Sequence, residues 1–144
     1  GQTYTAMLMP ERAMASFDQG LSYTPNAPLL WREKAILLQR MQRLREAQIS
    51  VERAISFDKL DSQSWHLLGD LQLLQGRSKK ARRAYAESLR LNPRSAITWA
   101  RYGQSDLQLN RPKEALRSFE MALRLNPDLD EAINGAHQAE EMLK

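Results

Sequence analysis

Few side chains in this 144-residue chain have the type and spacing that chemistry requires. Its two histidines, His66 and His137, are far apart, and neither is accompanied by a cysteine or a closely spaced pair of carboxylates that would complete a metal site. There is no cysteine, which excludes disulfides, zinc–thiolate sites and thiol catalysis. The glycines stand singly and form no phosphate-binding loop. The sequence therefore predicts no catalytic residue, no metal site, no bound cofactor and no enzyme activity.

The basic residues are concentrated in one segment. The chain has a net charge of +4, and between Arg77 and Arg94 the only acidic residue is Glu87. Such a segment is typical of a surface for nucleic acid or an anionic membrane, or of a solvated outer helix face. We favour the solvated face, because no aromatic residues alternate with these cations to stack bases. Nucleic acid is therefore the alternative partner and not the expected one.

The spacing of the three tryptophans shows how the chain is organised. Trp31, Trp65 and Trp99 are each 34 residues apart. Small residues recur at the same interval at one position of the repeat, namely Ala13, Ala47, Ala81 and Ala115. Large, mostly apolar residues recur at another, namely Phe17, Val51, Tyr85 and Phe119. Small residues recur where two helices cross closely, and large ones recur where a hairpin fills the gap to its neighbour.

One stretch shows the repeating unit most clearly. Between Ala96 and Leu129, apolar residues recur at helical spacing on both sides of a break. Asn110 suits the end of the first helix because Asn tolerates the left-handed conformation of a cap, and Pro112 suits the start of the second because its φ is already helical. The unit is therefore a hairpin of two short amphipathic helices.

These residues resemble the tetratricopeptide repeat, a 34-residue helical hairpin. The matching residues are Trp99, Gly103, Ala115, Phe119, Ala122 and Pro127, and, one repeat earlier, Trp65, Leu68, Gly69, Ala81, Tyr85 and Pro93. The departures are Lys34, Ala35 and Lys59 in the first complete repeat, and Gln72 and Asp106 where the family has Tyr. The resemblance implies an all-α solenoid of antiparallel helical hairpins wound into a right-handed superhelix.

The register predicts a single domain over residues 1–144. It comprises a partial repeat at 1–27, complete repeats at 28–61, 62–95 and 96–129, and a segment at 130–144 that is either a capping helix or the start of a further repeat. Pro10 occupies the position of Pro112, so a second helix is expected to start near Met9. We expect a fragment of a longer chain, able to self-associate through an uncovered face around Met7, Met14 and Phe17.

No apolar run approaches the roughly 20 residues that a membrane-spanning helix needs, and no charged-then-apolar leader opens the sequence. We therefore expect no membrane span. The compartment stays open, with the cytoplasm favoured over an exported space.

The resemblance implies that the first helix of each repeat lines the inner, concave wall, along which partners lie as extended or helical peptides. Transferred by position, the residues of this wall are Arg32, Ile36, Gln39, Arg40, Gln63, His66, Leu67, Asp70, Leu73, Leu74, Ile97, Arg101, Gln104, Leu107 and Gln108. Its apolar members exceed what a solvated helix face requires, and arginines such as Arg32, Arg40 and Arg101 are suited to the acidic groups of a peptide.

We therefore expect a protein–protein interaction module, a scaffold or adaptor that binds a peptide segment or helix in this groove. Some members of the family grip the C-terminal carboxylate of chaperones with Lys, Asn and Arg. The corresponding positions here are Arg32, Ile36, Leu67, Ile97 and Arg101, so no such clamp is expected. The alternatives are nucleic-acid or anionic-surface binding through residues 77–94, or a targeting arm of a larger enzyme.

Overall fold

The computed structural model describes residues 2–144, with side chains from residue 11 onward. Within those residues the chain forms eight α-helices and no strand, which confirms the predicted all-α fold. They are α1 (Gln2–Tyr23), α2 (Pro28–Arg40), α3 (Leu44–Phe57), α4 (Ser62–Leu74), α5 (Ser78–Leu91), α6 (Ala96–Gln108), α7 (Pro112–Leu125) and α8 (Asp130–Met142). None of the helices in this part of the chain is both long and apolar enough to cross a membrane.

The helices pair as hairpins, α2 with α3, α4 with α5 and α6 with α7. Each hairpin turns on a residue in the left-handed region: Gln42 at φ 64°, Gly76 at φ 77° and Asn110 at φ 60°. The residue after each turn donates its N–H to the carbonyl of Leu38, Gln72 or Asp106, at 2.8–2.9 Å. Such caps satisfy carbonyls that the ends of the first helices would leave unpaired.

Helix α1 departs from the prediction. It runs without interruption from Gln2 to Tyr23, so the expectation that a helix begins near Met9 is wrong. Proline removes one N–H from a helix but does not supply a turn. The position corresponding to Gln42, Gly76 and Asn110 is Leu8, and leucine rarely adopts a positive φ. A chain with no turn residue at that point continues as a helix.

The chain divides into two compact units, Gly1–Leu60 and Asp61–Lys144. In the first unit the described core includes Leu38 and Val51, and the small residues Ala35, Ala47 and Ala54 are buried as well. In the second unit the largest fully buried side chains are Tyr85 and Phe119. The division of the chain into repeats at the predicted boundaries, and the nature of α8 as a cap or as the start of another repeat, stay predictions.

Aromatic rings lie against glycines in the second unit. A Cβ added at Gly69 would lie 2.6 Å from the ring of Tyr85. At Gly103 and at Gly135 it would lie 2.9 Å and 2.3 Å from the ring of Phe119. These distances are shorter than van der Waals contact, so the helices can approach only where no side chain is present.

Gly135→Ala should therefore destabilise the chain by about 1–3 kcal/mol, because a methyl group there overlaps the buried ring of Phe119. Gly20→Ala is the matched control, since its Cβ would meet only the end of the Leu30 side chain, at 3.3 Å. Alanine is the better helix former, so the control should be neutral or slightly stabilising. Urea denaturation followed by circular dichroism measures both, and equal midpoints for the two variants would contradict the packing argument.

Candidate functional site

The first helices of the second unit lie side by side, with α6 in contact with both α4 and α8. Residues three and four apart share one side of a helix. Side-chain hydrogen bonds join these sides of α4, α6 and α8. We call this surface the three-helix face. Its residues are Gln63, His66, Asp70 and Leu74 on α4, Ile97, Arg101, Gln104 and Gln108 on α6, and Glu131, Asn134 and Gln138 on α8.

Arg101 is the centre of a polar network on this face. Its Nη1 donates to Oδ1 of Asp70 at 2.7 Å, and its Nε donates to Oε1 of Glu131 at 2.6 Å. The hydroxyl of Tyr85, on α5, donates to the same Asp70 oxygen at 2.5 Å. One guanidinium therefore joins α4, α6 and α8, and a buried phenol anchors the central carboxylate.

His66 completes the network. Its Nε2 lies 3.1 Å from Oδ2 of Asp70, and its Nδ1 lies 2.9 Å from the hydroxyl of Thr98. Thr98 is itself 2.8 Å from the hydroxyl of Ser95, which caps α6. Both oxygens of Asp70 are therefore used within the protein.

The network shifts the pKa of its members. Burial opposes ionisation of Asp70, but the hydrogen bond and charge of His66, the Tyr85 hydroxyl and the charge of Arg101 outweigh it and lower the pKa of Asp70. Burial also opposes the charge on Arg101, and the two carboxylates raise its pKa nevertheless. The Tyr85 pKa is raised by burial and by the adjacent carboxylate. At neutral pH the network holds a carboxylate, a guanidinium and a neutral phenol.

The next repeat has no such network. The positions that correspond to Tyr85, Asp70 and Arg101 are Phe119, Gln104 and Gly135. Phe119 has no hydroxyl to satisfy, and its ring packs against Gly135 where Tyr85 has Arg101 nearby. The charged network, which joins α4, α5, α6 and α8, is therefore not repeated one interval later in the chain.

Several amide side chains on the three-helix face are not engaged by the protein. Gln63, Gln104, Asn134 and Gln138 have no side-chain hydrogen bond among the described residues. Gln108 uses only its oxygen, which accepts from the hydroxyl of Ser78 at 2.6 Å. Gln104 is partly buried and the others are exposed. The face thus combines charges that neutralise one another with amides that are available to a ligand.

The apolar residues predicted for the groove differ in exposure. Leu67 and Leu107 are 7% and 8% exposed, so they belong to the core and offer no surface to a partner. Ile97 and Leu73 are partly buried, and Leu74 is 61% exposed. Arg101 contacts two carboxylates of this chain, which counts against the expectation that it pairs with acidic groups of a peptide.

The predicted site residues of the first unit lie on α2. Arg32, Ile36 and Gln39 are partly buried and Arg40 is exposed. In the same unit Met14 is buried, which removes it from the surface proposed for self-association, while Phe17 is partly buried. The side chain of Met7 lies outside the described residues.

Sequence reasoning did not assign Tyr85 or Thr98 to the site. The register of Tyr85 predicts a core residue. The sequence feature that could have indicated its role in the site is its hydroxyl, which Phe119, at the same position of the next repeat, does not have. No feature of the sequence indicates a role for Thr98, because its contact with His66 depends on how α4 and α6 pack.

Some residues of the basic segment make contacts within the chain. Nε of Arg82 donates to Oδ1 of the fully buried Asp106 at 2.7 Å, and the guanidinium lies 4.7 Å from the ring centre of Tyr102. Arg90 pairs with Glu87. Arg77, Lys79, Lys80, Arg83 and Arg94 are exposed. Among the described residues no group of three or more metal-ligating side chains is placed to hold a metal ion.

Comparison with known proteins identifies the family. A sequence profile described as the tetratricopeptide repeat matches residues 32–96 and again residues 66–130, which together span more than half of the chain. The chain belongs to the tetratricopeptide repeat family. Members are generally interaction scaffolds without enzymatic activity, so the general class of this chain is a protein–protein interaction module. No curated protein matches the sequence.

Solved structures show the same fold at low sequence identity. A crystal structure of MamA protein has a TM-score of 0.89 at 15% identity, over 99% of this chain and 78% of that one. The first tetratricopeptide domain of Spaghetti (RPAP3), bound to the HSP90 peptide SRMEEVD, has a TM-score of 0.79 at 19% identity, over 81% of this chain and 92% of that one. YrrB, described as a tetratricopeptide protein with an unusual peptide-binding site, has a TM-score of 0.79 at 19% identity, over 88% of this chain and 69% of that one.

Asp70→Asn should lower the free energy of unfolding at neutral pH, and its difference from the unaltered chain should disappear in acid. The folded pKa of Asp70 lies below its ordinary value of about 3.9. The unfolded chain therefore takes up the proton first as the pH falls, and the stabilisation present above about pH 4 is lost as the pH falls through the folded pKa. Urea denaturation across this range measures the difference. Asp128→Asn, at an exposed site, is the control, and a pH-independent gap for Asp70→Asn would refute the assignment.

Proposed function

We propose that the chain is a scaffold or adaptor module that binds a peptide segment of a partner protein on the first helices of its repeats. In the second unit this surface is the three-helix face, and in the first unit it includes Arg32, Ile36, Gln39 and Arg40. The observation that supports the proposal is the presence on the three-helix face of several amides without internal partners, next to a rigid charged network.

The network contributes by holding the surface in one arrangement before a partner arrives. Arg101 links three helices through two carboxylates, and Tyr85 and His66 fix the carboxylate between them. A preorganised surface loses little conformational freedom when a ligand binds, so more of the contact energy appears as affinity. In two of the solved relatives, Spaghetti and YrrB, the printed descriptions refer to a bound peptide or a peptide-binding site, which agrees with this use of the fold.

We further propose that the surface does not clamp a terminal carboxylate. The cation placed to do so on α6, Arg101, already contacts Asp70 and Glu131, and a second anion there would meet two carboxylates. Leu67, at another of the clamp positions, is buried. Recognition of the partner therefore does not require its chain terminus.

The location of the site is tested with peptides selected on the unaltered chain from a phage library of random linear peptides. Leu74→Glu combined with Ile97→Glu should weaken the selected peptides by about tenfold or more, because two carboxylates are added to the surface they contact. Circular dichroism should show unchanged helix content. Lys80→Glu with Arg83→Glu, on the exposed side of α5, is the matched control. If only the control variant loses binding, the proposed face is wrong and the basic segment becomes the site.

The absence of a clamp is tested with the same peptides, each synthesised with a free C-terminal carboxylate and as the C-terminal amide. The two forms should bind within about threefold of each other in fluorescence anisotropy, because no unpaired cation lies on the three-helix face. An advantage of about tenfold or more for the free acid would show that Arg101 or another cation does grip the terminus.

A further inference from the structure

We infer that the second unit carries a further binding site, a cavity between α4 and α5 that receives a tyrosine side chain from an acidic segment of a partner protein. On α4 this cavity is lined by Trp65, Leu68 and Gln72, which are three and four residues apart and share one side of the helix. His66 and Asp70 lie on a different side of α4, in the three-helix face. The α4–α5 cavity is therefore separate from the surface of the proposed function. Its other lining residues, on α5, are Lys80, Arg83, Ala84 and Glu87.

The size of the α4–α5 cavity suits one side chain. Its volume is about 210 Å³, whereas sites for whole small molecules usually measure about 300 Å³ or more. A cavity of about 150 Å³ is already large enough for a benzene ring. Leu68 and Ala84 give the cavity an apolar wall. A single aromatic side chain, the commonest kind of anchor in protein–protein contacts, fits this volume and this lining.

A buried amide in the cavity needs a hydrogen-bond donor. Gln72 is 7% exposed, and its Oε1 has no hydrogen-bond partner among the described residues. The repeat does not require a polar group there, because the corresponding residue of the preceding repeat is the buried Leu38. Gln72 stands where the family has Tyr, so this repeat also lacks an aromatic ring at that position. A tyrosine from a partner supplies both the ring and a hydroxyl that donates to the unpaired oxygen.

In the next repeat a side chain of the protein itself contacts the corresponding positions. Leu68 and Gln72 correspond to Tyr102 and Asp106. The guanidinium of Arg82 donates to Asp106 at 2.7 Å and lies 4.7 Å from the ring centre of Tyr102. A planar group with a hydrogen-bond donor therefore packs on this side of a first helix. Because Gln72 is neutral where Asp106 is acidic, a neutral donor such as a phenol matches the α4–α5 cavity better than a cation.

The charges beside the cavity favour acidic residues next to that tyrosine. Lys80 and Arg83 are exposed, and neither forms an ion pair among the described residues. The acidic residue of the lining, Glu87, is paired with Arg90 at 3.0 Å. Two cations are thus available to carboxylates of an approaching segment, while basic segments are repelled.

The test is a titration of the chain with an acetylated and amidated peptide in which one tyrosine stands between two runs of three glutamates. NMR signals of the indole N–H groups report the position of binding. The signal of Trp65 should shift, and those of Trp31 and Trp99 should not. A phenylalanine in place of the peptide's tyrosine should weaken binding by about threefold or more, because the hydroxyl is lost. An alanine there should weaken it by about tenfold or more.

Gln72→Leu tests the hydrogen bond. Leucine occupies the corresponding position as Leu38, so the variant should fold, which circular dichroism verifies. The tyrosine and phenylalanine peptides should bind this variant within about twofold of each other, because the acceptor is absent. A tyrosine preference that persists in Gln72→Leu, or equal binding of the two peptides to the unaltered chain, would overturn the inference.

Charge reversal tests the acidic character of the partner. Lys80→Glu with Arg83→Glu should weaken the tyrosine peptide by about tenfold or more. Lys113→Glu with Arg117→Glu, two exposed cations of α7, is the matched control and should have a much smaller effect. Equal losses in the two variants would show that only the overall charge attracts the peptide, and the cavity would then not be its site.

The last variant separates this cavity from the three-helix face. Leu74→Glu with Ile97→Glu should leave the affinity for the tyrosine peptide unchanged. If that variant alone loses binding, the peptide lies on the three-helix face, so the α4–α5 cavity is refuted while the proposed function stands. If the indole signal of Trp65 does not shift at about millimolar peptide concentrations, the cavity takes no such segment.

Discussion

In the second unit, the distance between paired helices is set by an aromatic ring resting on a glycine. Tyr85 lies against Gly69, and Phe119 lies against Gly103 and Gly135, at separations that leave no room for a Cβ. Because the rings are fully buried, they fill the space that the missing side chains vacate. The positions of α4, α6 and α8, and hence of every residue on the three-helix face, depend on this contact.

The aromatic position that holds Tyr85 in one repeat and Phe119 in the next explains why only the first of them is part of a charged network. A phenylalanine ring needs only apolar neighbours, whereas a buried tyrosine must also place its hydroxyl. Tyr85 does so by donating to Asp70, and Asp70 then requires cationic or polar partners, which Arg101 and His66 supply. A single oxygen atom in the core thus accounts for a network that extends to the surface. That network neutralises the arginine which would otherwise be the obvious anchor for an acidic ligand.

The fold was largely predictable because it depends on short-range patterns. The 34-residue spacing of Trp31, Trp65 and Trp99 reports the repeat directly, and a turn residue marks the tip of each hairpin. The incorrect helix start near Met9 has the same origin: Pro10 is a residue that often begins a helix, but Leu8, at the position of the turn residues, does not readily adopt a positive φ. The candidate site was less predictable. The position of Leu67 and Leu107 within the 34-residue repeat predicts that they lie on the groove surface. Both are buried, because their exposure depends on how closely the neighbouring helices approach and how they are rotated.

The sequence by itself determined the helical hairpin, its period and the side of each first helix on which His66, Asp70, Arg101 and Gln104 lie, because these follow from local periodicity and capping. Only the tertiary structure decided which of these residues satisfy one another. Asp70 and Arg101 are 31 residues apart and Arg101 and Glu131 are 30 apart, so whether a guanidinium reaches one carboxylate or two depends on the packing of α4, α6 and α8. That packing pairs these charges with one another and leaves the amides without partners inside the protein.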